Sequence, residues 1–134
     1  MEYRTRQIEL LRKACVAAAT AATACHPKSY KSGISPLTGH CAAVAYMVQA
    51  SFGGDIVTGR ITNRVKNHYW NKVTHYWNRL PDGVEVDLTS CQFGGDGFTP
   101  FKKGRKVKRG ELVPIRFLLF AAKVYEIIKG EVAT

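Results

Sequence analysis

The stretch from Val73 to Phe93, VTHYWNRLPDGVEVDLTSCQF, decides the fold, because it reads as two short strands joined by a turn whose chemistry sets their register. Pro81 and Asp82 suit the centre of a type I turn, and Gly83 suits the left-handed bulge position that closes a three-residue loop. That loop pairs Leu80 with Val84 and sets Arg79 opposite Glu85, Trp77 opposite Asp87 and His75 opposite Thr89. Residues directly opposite share a face, as do residues two apart on one strand, so His75 and Asp87 become diagonal neighbours. Arg79 and Glu85 form a cross-strand charge pair on that same face, which supports the register independently. Tyr76, Leu80, Val84, Val86 and Leu88 fall on the other face, and the whole reads as a half-buried antiparallel hairpin. A loop one residue shorter or longer would split His75 from Asp87.

Upstream, Gly39-His40-Cys41 precedes CAAVAYMVQASF, a small-residue helix that Gly53-Gly54 should stop. Thr38 is a candidate N-cap, with Ser35 followed by Pro36 as the alternative one turn earlier. Thr38 as cap puts Cys41 in the first turn, where unpaired N–H groups and the positive end of the helix dipole favour a thiolate. Cysteine, histidine and aspartate in that order supply a thiol nucleophile, its base and the group that orients the base. The plain alternatives are a small core residue for Cys41 and a turn cap for Asp87.

His-Tyr-Trp-Asn occurs at 68–71 and again at 75–78, so His68 competes with His75 as base. Their separation is odd, so one uninterrupted strand would point them to opposite faces. Only His75 owns the hairpin to Asp87, which leaves His68 at a surface or substrate rim. His40, Trp77 and Gln92 are candidates for oxyanion or substrate contacts, with His40 expected at the entrance. Gln92 serves equally as an amide donor to an oxyanion or as a loop hydrogen-bonder.

Ile8, Leu11, Cys15, Ala18, Ala22 and Cys25 make one stripe of an N-terminal helix that Pro27 ends, which marks Cys15 and Cys25 as core. HPKSYKSGISPLTG follows as an irregular loop, and Asp55 to Thr62 reads as a strand. Pro114 starts a final helix whose Ile115, Leu118, Leu119, Ala122 and Tyr125 form the expected inward stripe, with Gly130 as its stop.

A chain of 134 residues is about one domain, 1–134, large enough for a core without disulfide staples. Its four cysteines show no CxxC spacing, which argues against a disulfide framework and for a reducing cytoplasm. The run from Leu11 to Cys25 only loosely resembles a lipoprotein export signal, and no segment is apolar enough to span a membrane, so no membrane partner is expected. A formal charge of +10 draws the chain toward anions, and Lys102, Lys103, Arg105, Lys106, Lys108 and Arg109 are candidate contacts for an acidic partner or nucleic acid. Cysteine and histidine residues are zinc ligands, but their spacing here matches no common ligand pair, so no metal and no cofactor is expected.

GHCAAVAYMVQASFGGDI followed by HYWNRLPDGVEVDLTSCQF closely resembles the YunG-like family of bacterial and phage proteins. More distantly, the two blocks resemble the transglutaminase-like branch of the papain-like cysteine enzymes, in which a glycine and cysteine open a helix, a His-aromatic strand follows and an Asp-x-Thr strand closes the unit. The matching residues are Gly39 and Cys41, His75 with Tyr76 and Trp77, and Asp87 with Thr89. The resemblance implies an α+β fold with a papain-like (transglutaminase-like) core: a nucleophile-bearing helix on a small antiparallel sheet, with flanking terminal helices. It implies a thiol hydrolase or acyltransferase, whether peptidase, amidase, deamidase or transglutaminase-like, acting on a protein, peptide or other acyl-group substrate in a bacterial or phage-infected cell. Two departures stand out: His40 occupies the place of the papain-type glutamine just before the nucleophile, and neither the first HYWN copy nor part of the basic loop is matched. The alternatives are a binding or inhibitor protein, phage-encoded, that uses the basic loop, and thiol redox sensing at Cys41.

Overall fold

The computed structural model describes residues 2–20, 23, 40–61, 64–65, 68–69, 73–89, 104–108, 110–112 and 114–133. They form an α+β arrangement of three helices, α1 (Glu2–Ala18), α2 (Cys41–Phe52) and α3 (Leu118–Ala133), with a 3-10 turn over Pro114–Phe117 leading into α3. The strands are β1 (Asp55–Ile61), β2 (Arg64–Val65), β3 (His68–Tyr69), β4 (Val73–Arg79), β5 (Glu85–Val86) and β6 (Arg105–Lys106). An antiparallel sheet has the order β5-β4-β1-β6, while β2 and β3 pair separately.

The hairpin has the register that the turn chemistry dictates. Arg79 pairs with Glu85 and Asn78 with Val86, Leu80 N–H donates to Val84 O at 2.8 Å, and Gly83 takes φ +88°. A side chain at that φ would be strained. The ladder is shorter than expected, however: β5 ends at Val86, so Trp77 and Asp87 form no ladder pair. Asp87 turns out of the strand because its Oδ1 accepts from the Thr89 N–H at 3.1 Å and from the Thr89 hydroxyl at 3.2 Å. This local bond competes with sheet pairing, as Asp side chains commonly do.

The expected split into a buried and a solvent-facing side does not hold for the hairpin. His75 and Trp77, assigned to the polar face, are 0% and 4% exposed, whereas Val84 on the apolar face is exposed. The sheet is covered on both sides. On one, Asn78 donates to the Ala45 carbonyl of α2 at 2.9 Å. On the other, the main chain at Gly104 passes so close that a Cβ there would lie within 3 Å of Val57 and Trp77.

The helices differ from the expectation in two ways. First, α1 ends at Ala18 rather than continuing to Cys25. Just beyond it the Thr23 hydroxyl accepts from the Thr20 N–H at 2.9 Å and donates to the Thr20 carbonyl at 3.0 Å, taking backbone groups that a helix would use. Ala22 and Cys25 lie outside the described residues.

Second, the stripe assigned to the interior of the last helix is on its outside. Ile115 is 70% exposed, Leu118 57%, Leu119 53% and Tyr125 55%, and Ala122 is exposed as well. Phe117, Phe120, Ala121 and Val124 enter the core instead, beside Leu11, Cys15 and Ala18 of α1 and Val44, Met47 and Val48 of α2. The physical reason is aromatic shape: Phe117 lies against Tyr46 with ring centroids 5.5 Å apart, and Phe120 against His40 at 5.3 Å. Gly130 does not stop the helix, which continues to Ala133.

Candidate active site

Helix α2 begins at Cys41, with His40 in the N-cap position, so the cysteine opens the first turn. Thr38, Ser35 and Pro36 lie outside the described residues. No side-chain bond from His40 caps the helix; its backbone carbonyl accepts from Val44 N–H at 2.9 Å. The His40 ring is fully buried, with Nε2 2.7 Å from the Thr23 hydroxyl and Phe120 against its face. It therefore does not line an entrance: it anchors the residue before Cys41 in the core. Cys41 is partly exposed, whereas Cys15 is buried, and burial pushes the Cys15 thiol up to about 12.

The direction of α2 relative to β4 explains where Cys41 lies. The C-cap residue Gly53 sits beside Pro81 at the end of the hairpin strand, and Ala45 sits at Asn78. Helix and strand thus run parallel. One helical turn back from Ala45 is about 6 Å, close to the rise of two strand residues, which brings Cys41 level with Tyr76 and His75.

His75 is the centre of the arrangement. Its Nε2 lies 2.8 Å from Asp87 Oδ2, and Cys41 at the start of α2 is the second group that bears on its proton. Burial alone would lower the affinity of the ring for a proton. Interaction with the Asp87 carboxylate and with Cys41 outweighs it and raises His75 from 6.5 to about 9, so the imidazole is cationic at neutral pH. Asp87 does both things foreseen for it, capping the turn with Oδ1 and holding His75 with Oδ2. Trp77 stacks on the His75 ring at 6.0 Å with an interplanar angle of 18°, and its Nε1–H donates to Glu85 Oε1 at 2.6 Å. The indole braces the imidazole and, at 4% exposure, offers little surface to a substrate.

His68 lies on β3, in a ladder separate from the strand of His75. Gln92, Lys102, Lys103 and Arg109 fall outside the described residues, as do His26 and Cys91. Arg105 forms a two-point ion pair with Glu111, both contacts at 2.7 Å, Lys106 lies 3.3 Å from Asp55, and Lys108 is exposed. The Arg105 guanidinium is the largest cause holding the Glu111 carboxyl down at about 2. Among the described residues no group of three or more His, Cys, Asp or Glu side chains is placed to hold a metal ion, and no helix is long and apolar enough to cross a membrane.

Asn78 is a positioning residue that the pattern reading missed. Its neighbours on the strand suggested only a polar residue, and its bond to Ala45 O exists only once α2 is docked. Thr58 is another. Its hydroxyl donates to the His75 carbonyl at 2.9 Å from the neighbouring strand β1.

The sequence model of the family described as YunG protein matches residues 7–134. No curated protein and no solved structure matches the chain.

Proposed function

The chain belongs to the YunG family, and from that premise and the contacts around His75 we propose that it is a cysteine-dependent hydrolase or acyltransferase with a papain-like (transglutaminase-like) core. The observation that carries this reading is a fully buried, cationic histidine held between a carboxylate and the only partly exposed cysteine among the described residues. A structural histidine has no need of a thiol at a helix start, whereas a nucleophile needs both the helix end and a proton carrier.

In this mechanism the Cys41 sulfur attacks the carbonyl carbon of an amide, ester or thioester. The carbonyl π pair moves onto oxygen, where the backbone N–H of Cys41 donates to it. The C=O bond re-forms, the leaving group departs with the proton carried by His75, and an acyl-thioester remains on Cys41. Asp87 holds the His75 ring through Nε2 while the imidazole carries the proton between sulfur and leaving group. Water or an amine, giving up a proton to His75, then attacks the thioester and releases the acyl group, so hydrolysis and transfer share one site. The substrate class is a protein, peptide or other acyl donor, and the setting we assign is a reducing bacterial or phage-infected cytoplasm, in which the thiol stays free.

The second reading, a non-enzymatic binding protein engaging an acidic partner or nucleic acid through its basic loop, draws less support. Arg105 and Lys106 already have carboxylate partners within the fold.

An electrophile such as iodoacetamide tests the enzyme reading. Cys41 should be alkylated faster than Cys15, Cys25 and Cys91, and His75→Ala should slow that reaction at least tenfold. Equal alkylation of all four thiols, or indifference to His75→Ala, would sink it.

A further inference from the structure

A tetrahedral intermediate on Cys41 needs more than one donor for its oxyanion, and the papain-type glutamine is replaced here by His40, whose ring is turned into the core. The fold brings another donor to the same place. Tyr76 lies on the α2-facing side of β4, alternating with His75 and sharing that side with Asn78, which bonds Ala45. One turn before Ala45 is Cys41, so the start of the helix and the Tyr76 side chain meet at the same level of the sheet.

Across the sheet, Tyr76 is paired with Thr58, and Thr58 with Arg105, so the three make one row over β4, β1 and β6 on that side. The Thr58 hydroxyl of that row donates to the His75 carbonyl. Tyr76 is partly exposed, unlike His75 and Trp77, so an incoming carbonyl can reach it.

We propose that the Tyr76 hydroxyl is a catalytic oxyanion donor, turning its proton to the substrate oxygen as Cys41 adds to the carbonyl. The inference rests on the reading of Cys41 as nucleophile and adds the group that completes its oxyanion hole. Rotation about the phenol C–O bond moves only a hydrogen, so the switch needs no displacement of the ring. The titratable and charged groups that bear on the phenol are Cys41, Glu111 and Arg105. Burial first, then the electrostatic effect of Cys41 and Glu111, hold its pKa above the ordinary value of 10.0 against the opposing pull of Thr58 and Arg105, so it keeps the proton it must donate.

The test uses two probes on the full chain. Iodoacetamide alkylates sulfur by displacement at a saturated carbon and develops no charge on a carbonyl oxygen. p-Nitrophenyl acetate acylates sulfur through an oxyanion and expels p-nitrophenolate. Tyr76→Phe should leave the alkylation rate of Cys41 within about twofold, while its acetylation, followed by intact mass and nitrophenolate release, falls roughly 100-fold. Unchanged acetylation in Tyr76→Phe, with wild-type acetylation dependent on His75, would overturn the role of Tyr76 and leave the nucleophile standing. A parallel loss of alkylation and acetylation would overturn it too, because the phenol would then be holding the site together rather than serving the oxyanion. Wild-type Cys41 that is neither alkylated preferentially nor acetylated would remove the nucleophile and this inference together.

Discussion

Replacing Asp87 by Asn keeps the shape of the side chain and an oxygen for the Thr89 turn, but removes the charge facing His75. In the native protein Asp87 and Cys41 raise His75 from 6.5 to about 9 against the opposing effect of burial. A rise of that size corresponds to about 3 kcal/mol of preference for the protonated ring in the folded state. Because the folded value lies above the unfolded one, this stability is fully present below about pH 6.5 and is lost as the pH rises through 9. Most of it therefore remains at neutral pH. In Asp87→Asn burial is no longer outweighed by the carboxylate, so the His75 titration, followed by NMR of the ring Cε1–H, should fall well below 9. Urea denaturation should show the variant weaker by about 2–3 kcal/mol at pH 6–7, with the gap to wild type closing at pH 9–10. An unmoved His75 titration, or a stability difference that stays flat from pH 6 to pH 10, would refute the account of how this ring is held.

Further tests address the packing that positions the site. Phe120→Ala, which empties the space between His40 and the core, should cost about 3–5 kcal/mol in denaturant titration, whereas Leu119→Ala on the outer face of α3 should cost less than about 1 kcal/mol. Equal losses would mean that the helix faces the other way. Gly104→Ala should destabilise by about 1–3 kcal/mol, because the Cβ meets Val57 and a Trp77 ring that is already held by Glu85, and it should alter tryptophan fluorescence; a silent substitution would show that the 104 segment does not lie over Trp77. Cys15, buried and pushed up to about 12, should resist iodoacetamide at pH 8 in the folded protein and react once urea unfolds the chain, as read by mass spectrometry; prompt reaction without denaturant would contradict its place in the core.

Much of the hairpin was legible in the sequence, because a Pro-Asp-Gly turn restricts backbone angles locally and those angles set the register without help from the rest of the chain. The end of α2 at Gly53-Gly54 was legible for the same reason. The orientation of α3 was not. That helix is apolar on two sides in its first turns, so a 3.6-residue period selects Ile115, Leu118 and Leu119 as readily as Phe117, Phe120 and Val124. The early end of α1 was hidden as well, since alanine favours a helix and the bonds of Thr23 to Thr20 appear only with a defined side-chain conformation.

By itself, then, the sequence determined local geometry: the turn that holds β4 and β5 in register, the helix with Cys41 in its first turn, and the alternation that assigns Tyr76 and His75 to different sides of one strand. Tertiary structure alone decided that both sides of that strand are covered, that His40 turns inward, and that Asp87 leaves the ladder yet still reaches His75. The reason is physical range. Backbone preferences and side-chain period act over a few residues, whereas the burial and neighbouring charges that keep His75 protonated depend on α2, β5 and the Asp87 turn arriving at one point from distant parts of the chain.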